Sequence, residues 1–297
     1  MKPGISSMFF GDMSMDEFFG FIQGHGEIQL VDIWYDTPFH LLEDDSKKDA
    51  VVAAVKNYAN DLGLDVVAHA AAFDVNPIAY SPAVQLLTLE ETEKSLIFAS
   101  NIGARFVTVH GGFSSFGTRV TRYDLVLFER FLDELEEFIG KQELDITLCL
   151  ENDAATPAMM RPLESLHHLQ GLLDKHENIN VTLDIAHIIK SSLSNETFIV
   201  REPRIDRDTI SSFLEVYGER VKIVHASCPN KYRTHGRIDF SGNDVFMDIK
   251  RKIDGAIDSS KLDCIFEYAM EEFSSPADAM DSLIADMASL EEHLEGA

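Results

Sequence analysis

The stretch ITLCLEND, residues 146–153, is a short apolar run that ends abruptly in three polar residues. Such a composition is typical of a β-strand that is buried on both faces of a parallel sheet. A carboxylate at the end of a buried strand costs free energy unless something pairs with it. Glu151, the first of the three polar residues, therefore either meets a neighbouring lysine or arginine or takes part in a site.

The same construction recurs along the chain and predicts the fold. Six apolar runs each end in a residue that can bind a metal, and successive end residues are 41, 41, 33, 41 and 42 positions apart. This period matches one β-strand followed by one helix. Two further candidate strands, residues 4–10 and 28–34, bring the number to eight, so we expect a single (β/α)8 TIM barrel domain over residues 1–297. The six runs are residues 64–69, 106–110, 146–151, 181–184, 221–225 and 262–267, which end in His69, His110, Glu151, Asp184, His225 and Glu267.

Composition and charge fit one large domain and argue against some partners. The chain has 297 residues, 45% of them hydrophobic, which is enough for a sizeable core. No run is long enough to span a bilayer and the first residues lack a signal-peptide core, so we expect a cytoplasmic protein. The formal charge of −26, from 51 acidic and 25 basic residues, opposes binding to nucleic acid or anionic membranes. The three cysteines lack paired spacing and are expected to be reduced.

Capping signals and periodicity place the helices and loops between these strands. Ser14 and Glu17 have capping-box spacing at the start of the first helix. A similar box at Thr88 and Glu91 predicts the start of the third helix and leaves residues 70–87 as a long loop. A second long loop is expected over residues 191–206. The predicted helices cover residues 15–23, 46–62, 123–139, 162–175 and 276–294.

Two segments outside the strand ends are candidate ligand contacts. Trp34 shares its parity with Asp32 in the second strand, so both can point into the barrel, where the indole either packs in the core or stacks on a ligand. The loop over residues 226–237 is basic in an otherwise acidic protein, and this favours an anionic ligand. Its candidate contacts are Lys231, Arg233, His235 and Arg237.

The strand ends of a (β/α)8 barrel meet at one rim, where side chains from different strands converge. Glu151, Asp184, His225 and Glu267 would then form a set of three carboxylates and one imidazole, which suits a hard or borderline divalent cation. The carboxylates would repel one another without a cation, so a bound metal explains why they occur together.

These residues resemble the family of xylose isomerase-like barrels, which includes sugar isomerases, epimerases and apurinic endonuclease IV. The resemblance covers essentially the whole chain. It implies metal ligands at the four positions named above, with His69 and His110 as further candidates because they match a zinc pair of the endonuclease branch. It also implies that His187, in the Asp-x-x-His sequence that begins at Asp184, contacts substrate.

The sequence departs from the endonuclease branch after the seventh strand. Arg233-Thr234-His235 stands where that branch has Asp-x-His as ligands of a third zinc, and residues 240–244, FSGND, stand where it has Gly-Glu-Gly. A guanidinium cannot bind a cation. We therefore expect one or two divalent ions, not three, with zinc or manganese favoured over cobalt or magnesium.

The resemblance implies a metal-dependent isomerase or epimerase of a small polyhydroxy compound that reacts through an enediolate. Glu151 and Glu267 would transfer the protons. Two alternative functions stay open: a zinc endonuclease that acts on abasic DNA, and a barrel that binds metal or ligand without turnover. The chain could also form a homo-oligomer. The expected substrate contacts are Trp34, His69, His110, His187, Lys231, Arg233, His235 and Arg237.

Overall fold

A computed structural model describes residues 1–11, 13–38, 45–113, 121–152, 172–194, 207–229, 235–238, 244–270 and 273–295. Eight parallel strands close into a barrel in which each strand pairs with its neighbours in sequence and β8 pairs with β1. The predicted (β/α)8 fold is therefore confirmed. The strands are β1 (Lys2–Ser6), β2 (Leu30–Trp34), β3 (Asp65–His69), β4 (Phe106–Val109), β5 (Thr147–Glu151), β6 (Asn180–Asp184), β7 (Val221–Ala226) and β8 (Asp263–Phe266).

Helices cover the outside of the barrel. The predicted capping box at Ser14 and Glu17 is present at the start of the first helix. Among the described residues, no helix has the length and apolar character needed to cross a membrane. The helices are α1 (Met15–Ile22), α2 (Asp45–Leu62), α3 (Pro82–Ile102), α4 (Arg122–Gln142), α5 (Ile185–Ser194), α6 (Arg207–Tyr217), α7 (Asp244–Ala256) and α8 (Pro276–Glu295).

Side chains fill the barrel interior in layers, because alternate residues of each strand point inward. At the amino-terminal end, the Arg105 guanidinium bonds both carboxylate oxygens of Asp263, and Lys2 pairs with Asp65. The middle layer is apolar and fully buried. It consists of Leu30, Val67, Cys149, Ile223 and Ile265.

Three predictions about local structure are wrong. β1 ends at Ser6 instead of residue 10, and Met8–Phe10 forms a 3-10 turn. Helix α3 begins six residues before the predicted box, and Thr88 lies buried inside it. The predicted loop over residues 191–206 is partly helical, because α5 follows β6 directly and extends to Ser194. Most of the predicted helix 162–175 and the rest of that loop lie outside the described residues.

Candidate metal centre and active site

The third layer of the barrel interior is polar and carries the candidate site. It begins two residues beyond the apolar layer, so the same strands that bury Leu30, Val67, Cys149, Ile223 and Ile265 each present a titratable group two residues farther along the chain. Each of these groups is at most 2% exposed. They are Asp32, His69, Glu151, His225 and Glu267, and Asp184 joins them from the end of β6.

Three carboxylates converge on one imidazole nitrogen. His225 Nδ1 lies 3.2 Å from Glu151 Oε1, 3.4 Å from Glu267 Oε2 and 3.9 Å from Asp184 Oδ2. Ligand atoms that bind one cation at about 2.1 Å lie about 3 Å apart in octahedral and slightly farther apart in tetrahedral geometry. The spacing fits a divalent cation held by Glu151, Asp184 and His225, which offer ligand atoms within 4.8 Å of one another, and His225 groups in the same way with Glu267 and Asp32.

Buried oxygens that lack hydrogen-bond partners also fit a cation. Within the part of the chain that the structure describes, Asp184 Oδ2 and Glu267 Oε1 are buried and accept no hydrogen bond. Such atoms are costly unless an ion or water satisfies them. The other oxygen of Asp184 accepts the His187 backbone N–H at 2.5 Å and so caps helix α5. Asp184 thus has one oxygen fixed by the helix and one left for a metal.

Asn152 holds the strand end that carries Asp184. Its Oδ1 accepts the Asp184 backbone N–H at 2.7 Å and its Nδ2 donates to the Asp184 carbonyl at 2.9 Å. The carbonyl of Asn152 lies 2.8 Å from His187 Nδ1, which donates to it. This bond fixes the tautomer of the neutral ring, in which Nδ1 carries the proton and Nε2 carries the lone pair.

A second grouping uses the other oxygen of Glu151. His69 Nε2 lies 3.3 Å and His110 Nε2 3.5 Å from Glu151 Oε2. His69 Nδ1 donates to the Ala70 carbonyl at 2.8 Å, so in the neutral ring the lone pair on Nε2 faces the carboxylate. A lone pair and a carboxylate oxygen at this distance repel unless a cation or proton lies between them. If cations occupied both groupings, Glu151 would offer one oxygen to each.

A third grouping brings Asp184 together with His187 and His235. One ligand atom from each lies within 4.8 Å of the others. The sequence placed a third metal site in doubt because Arg233 replaces an aspartate, but here Asp184 supplies the carboxylate. Lys231 and Arg233 lie outside the described residues. The number of bound ions, one or two, stays a prediction.

Arg237 is directed away from this rim. Its guanidinium forms a two-fold ion pair with Asp286 of α8, with nitrogen–oxygen distances of 2.8 and 2.9 Å. It is absent from the cavity lining. We therefore do not retain it among the substrate contacts, and the described lining contains no lysine or arginine.

Burial and the neighbouring charges shift the pKa values of the carboxylates in the ring in different directions. Burial acts to raise the pKa of Glu151, but His225 and His110 outweigh it and hold this pKa well below its usual range. Burial raises the pKa of Glu267 well above its usual range, against the attraction of His225. Burial likewise raises the pKa of Asp184 to about 6. Among the protein groups alone, Glu151 is the carboxylate that stays ionised most readily.

Asp32 belongs to the ring, although the sequence analysis did not assign it to the site. Its Oδ2 accepts hydrogen bonds from Trp34 Nε1 at 2.9 Å and Ser6 Oγ at 3.3 Å. One of its oxygens lies within 4.8 Å of ligand atoms of His225 and Glu267. Its parity in β2 was the available signal. Trp34 stacks on His69 at a centroid distance of 3.6 Å, so one face of the indole covers that imidazole.

Two members of the ring, Glu151 and Glu267, lie at the floor of a cavity of about 360 Å³. This volume lies at the lower end of the range for small-molecule pockets. Glu151, His187, His235 and Glu267 line it, and so do His110 and Trp34. The loop after β3 forms much of the wall, and its exposed Phe73 was not recognised from the sequence.

Comparison with known proteins identifies the same architecture. A family model described as "Xylose isomerase-like TIM barrel" matches residues 25–258. No curated protein matches the chain by sequence. Three solved structures resemble it over nearly their whole length, and at such identities the likeness shows the fold alone. They are a D-tagatose 3-epimerase-like protein (TM-score 0.73, 19% identity, 99% of this chain and 97% of that one), D-psicose 3-epimerase in the presence of D-fructose (0.72, 13%, 100% and 100%) and a 3-keto-D-glucoside 4-epimerase from E. coli (0.70, 16%, 97% and 99%).

Proposed function

The chain belongs to the family of xylose isomerase-like TIM barrels, and on that basis we propose that it is a divalent-metal-dependent isomerase or epimerase of a small sugar or sugar derivative. One observation carries the proposal. Glu151 Oε1 and Glu267 Oε2 lie 3.2 and 3.4 Å from His225 Nδ1, and both residues line the cavity. Two carboxylates beside one reacting carbon can take a proton from one face and return it on the other.

The reaction needs a base, an acid and a means to stabilise negative charge. One glutamate removes the proton from the carbon beside the substrate carbonyl, which leaves an enediolate. The other glutamate returns a proton to the same carbon from the opposite face, which inverts it. A proton returned to the neighbouring carbon, with the hydroxyl proton passing to the former carbonyl oxygen, moves the carbonyl instead. Glu151, Asp184, His225 and Glu267 would hold a divalent cation, which would supply the positive charge that favours the enediolate.

The histidines of the rim would bind hydroxyl groups of the substrate. His187 has its Nδ1 engaged by the Asn152 carbonyl, so its Nε2 is the nitrogen that a hydroxyl can use. His235 lies beside it, with ring centroids 5.0 Å apart, and its Nδ1 contacts Ser227 Oγ at 3.1 Å. Trp34, His69 and His110 complete the proposed contacts, and the latter two histidines are also the ligands proposed for a second ion.

The solved structures support the substrate class. The three proteins compared above are named as sugar epimerases or as epimerase-like, and the structure of one was determined in the presence of D-fructose. We therefore propose a ketose or keto-sugar as substrate, with one or two ions of zinc or manganese, or of cobalt or magnesium.

The test is a screen of ketoses with metal-loaded protein, followed by two substitutions. Glu151→Gln and Glu267→Gln keep the side-chain volume but cannot accept a proton, so each should lower turnover by about a hundredfold or more. Metal content is measured in the same samples because both residues are proposed ligands. Glu137→Gln, on the exposed face of α4, is the matched control and should leave turnover unchanged. Near-native turnover in either site variant would exclude its proposed role.

The four metal groupings favour a second candidate, a zinc phosphodiesterase that acts on abasic DNA. Groupings that share Glu151 and Asp184 could hold more than one ion, as phosphodiester cleavage by metal clusters requires. The charge of −26 opposes it, because phosphates are repelled. Incubation with abasic duplex DNA at physiological salt distinguishes the two, and cleavage there would replace the isomerase proposal. A metal-loaded protein without either activity would be a non-catalytic ligand-binding barrel.

A further inference from the structure

The mouth of the cavity differs chemically from its floor. The floor carries Glu151 and Glu267, each 2% exposed, whereas the rings of Phe73 and Phe113 line the same cavity and are 43% and 47% exposed. The other cavity-lining residues of the loop that carries Phe73 are mostly small or apolar, with Asp74 as the charged member. They include Ala71, Ala72, Val75 and Pro77.

A buried carboxylate holds the backbone that carries the first of these rings. Asp36 is 5% exposed, and its Oδ2 accepts the backbone N–H of Ala72 at 2.8 Å and of Phe73 at 3.2 Å. Hydrogen bonds to a charged acceptor are stronger than neutral ones. The Phe73 ring also lies 6.0 Å from that of Trp34, so it continues the aromatic surface that begins deeper in the cavity.

A second clamp holds the other ring. Asn76 Nδ2 donates to the Phe113 carbonyl at 2.8 Å, and Asn76 Oδ1 accepts the Phe113 N–H at 3.0 Å. Gly112 permits this approach, because a Cβ there would lie 2.4 Å from Asn76 Oδ1. The loops after β3 and β4 are thereby joined through the backbone of Phe113.

We propose that this rim is a subsite for a second ring of the substrate, so that the preferred substrate is a ketose that carries a glycosyl ring at the end far from its carbonyl. The proposal rests on the proposed function and narrows its substrate class. A sugar ring has an apolar face of C–H groups that packs on aromatic rings, whereas its hydroxyls need hydrogen-bond partners, which the rings of Phe73 and Phe113 do not offer.

Continuity with the floor selects this occupant over a second copy of the chain. The two rings line the cavity that holds the proposed catalytic carboxylates, so a ligand whose carbonyl end lies beside Glu151 and Glu267 extends toward them. Contacts with a remote part of a substrate can supply binding free energy that positions the reacting part. Rigid aromatic rings provide that contact at a low cost in conformational entropy.

The only tryptophan of the chain, Trp34, lines the cavity and provides the measurement. Zinc-loaded protein is titrated with D-fructose and with isomaltulose, which is fructose that carries a glucosyl ring on O6, and the ratio of the two Kd values is read from Trp34 fluorescence. The wild-type protein should bind isomaltulose about tenfold more tightly, and Phe73→Ala or Phe113→Ala should each reduce that ratio about threefold, as expected for aromatic contacts. The double variant should bring the ratio close to one.

Tyr123→Ala is the matched control, since Tyr123 is an aromatic residue that is 53% exposed and lies outside the cavity lining. It should leave the ratio unchanged. A wild-type ratio near one with measurable binding of fructose would overturn the second-ring subsite and leave the proposed function intact. If the double variant kept the wild-type ratio of Kd values, or if it changed only the sedimentation of the protein, the rings would have another role. Binding of neither sugar would overturn the proposed function as well.

Discussion

Replacement of Asp184 by asparagine separates the two roles of this side chain. Asparagine caps helices as well as aspartate does, so the bond to the His187 N–H at 2.5 Å can be kept by the amide oxygen. The atom that changes is Oδ2, which has no hydrogen-bond partner among the described residues and becomes an NH₂ group. The variant should therefore fold but bind the cation poorly.

The pKa of Asp184 sets the size of the effect on the metal-free protein. Burial raises this pKa from 3.8 to about 6, and such a difference corresponds to about 3 kcal/mol. Because the folded-state pKa is the higher one, the folded protein holds the proton more tightly than the unfolded chain. The cost of the charge is absent below about pH 3.8, grows as the pH rises and is complete above about pH 6. Asparagine removes it.

Thermal unfolding at pH 7.5, with chelator and with saturating zinc, measures both effects. With chelator, Asp184→Asn should melt several degrees above the wild-type protein, since 1 kcal/mol shifts Tm by about 2–4 °C in a large domain. Loss of a ligand should weaken zinc binding at least about a hundredfold, so that the stabilisation by zinc falls by about 2.7 kcal/mol.

Asp184→Ala serves as the comparison, because it also removes the cap and should cost about 1 kcal/mol more than the asparagine variant. In Asp184→Asn the Tm with chelator should thus rise and the stabilisation by zinc should fall, so the difference between the two Tm values becomes smaller. An unchanged zinc-induced shift, together with a chelated variant that melts no higher than the wild-type protein, would show that Asp184 is a helix cap and not a ligand.

Two substitutions test the framework around the site. Arg105→Leu should destabilise the protein by about 1–3 kcal/mol in urea unfolding, because it leaves the buried Asp263 carboxylate without the guanidinium that bonds it at 2.5 and 2.7 Å. The double variant Arg105→Leu, Asp263→Asn should regain most of that stability. Equal stability of the wild-type protein and Arg105→Leu would contradict the pairing. Gly112→Ala should cost about 1–3 kcal/mol, because Gly112 has φ +76° and a Cβ would lie 2.7 Å from Pro77 Cδ; an unchanged Tm would contradict this tight approach.

The sequence predicted the barrel and its polar ring because both follow from one regularity. A strand buried on both faces reads as an apolar run, and the residue at its carboxyl end must face the common rim. Glu151, Asp184 and His225 were found in this way, and the structure places them around one point. Asp32 has the same parity as Leu30, but it lies within its strand and not at the end of an apolar run, so the pattern did not select it.

Local signals failed where tertiary contacts decide the structure. The apolar residues 8–10 read as a continuation of β1, but the chain turns at Ser7, whose Oγ accepts the Trp34 N–H at 2.9 Å. The box at Thr88 misplaced the start of α3, since the Thr88 hydroxyl accepts the Asn76 N–H at 2.8 Å from inside the helix. Pro82 was the better signal, because proline is favoured at the first helical position.

Arg237 illustrates a further limit. Its place in a basic loop indicated an anion contact, and its partner Asp286 lies 49 residues farther along the chain, where no sequence pattern links the two. The exposed rings of Phe73 and Phe113 were missed for a similar reason, because the clamps that hold them join separate loops. The spacing of buried and polar residues repeats from strand to strand and can be read from the sequence. Contacts between loops produce no such repeat.

Hydrogen exchange in D₂O tests the roles of the two glutamates most directly. For a ketose that the metal-loaded protein epimerises, two opposed bases predict solvent deuterium on the inverted carbon of the product. Glu151→Gln and Glu267→Gln should each stop interconversion, while each keeps exchange into a different one of the two epimers, because the remaining glutamate still serves its own face. Conversion without deuterium in the product, or exchange into the same epimer by both variants, would contradict a mechanism with one glutamate on each face.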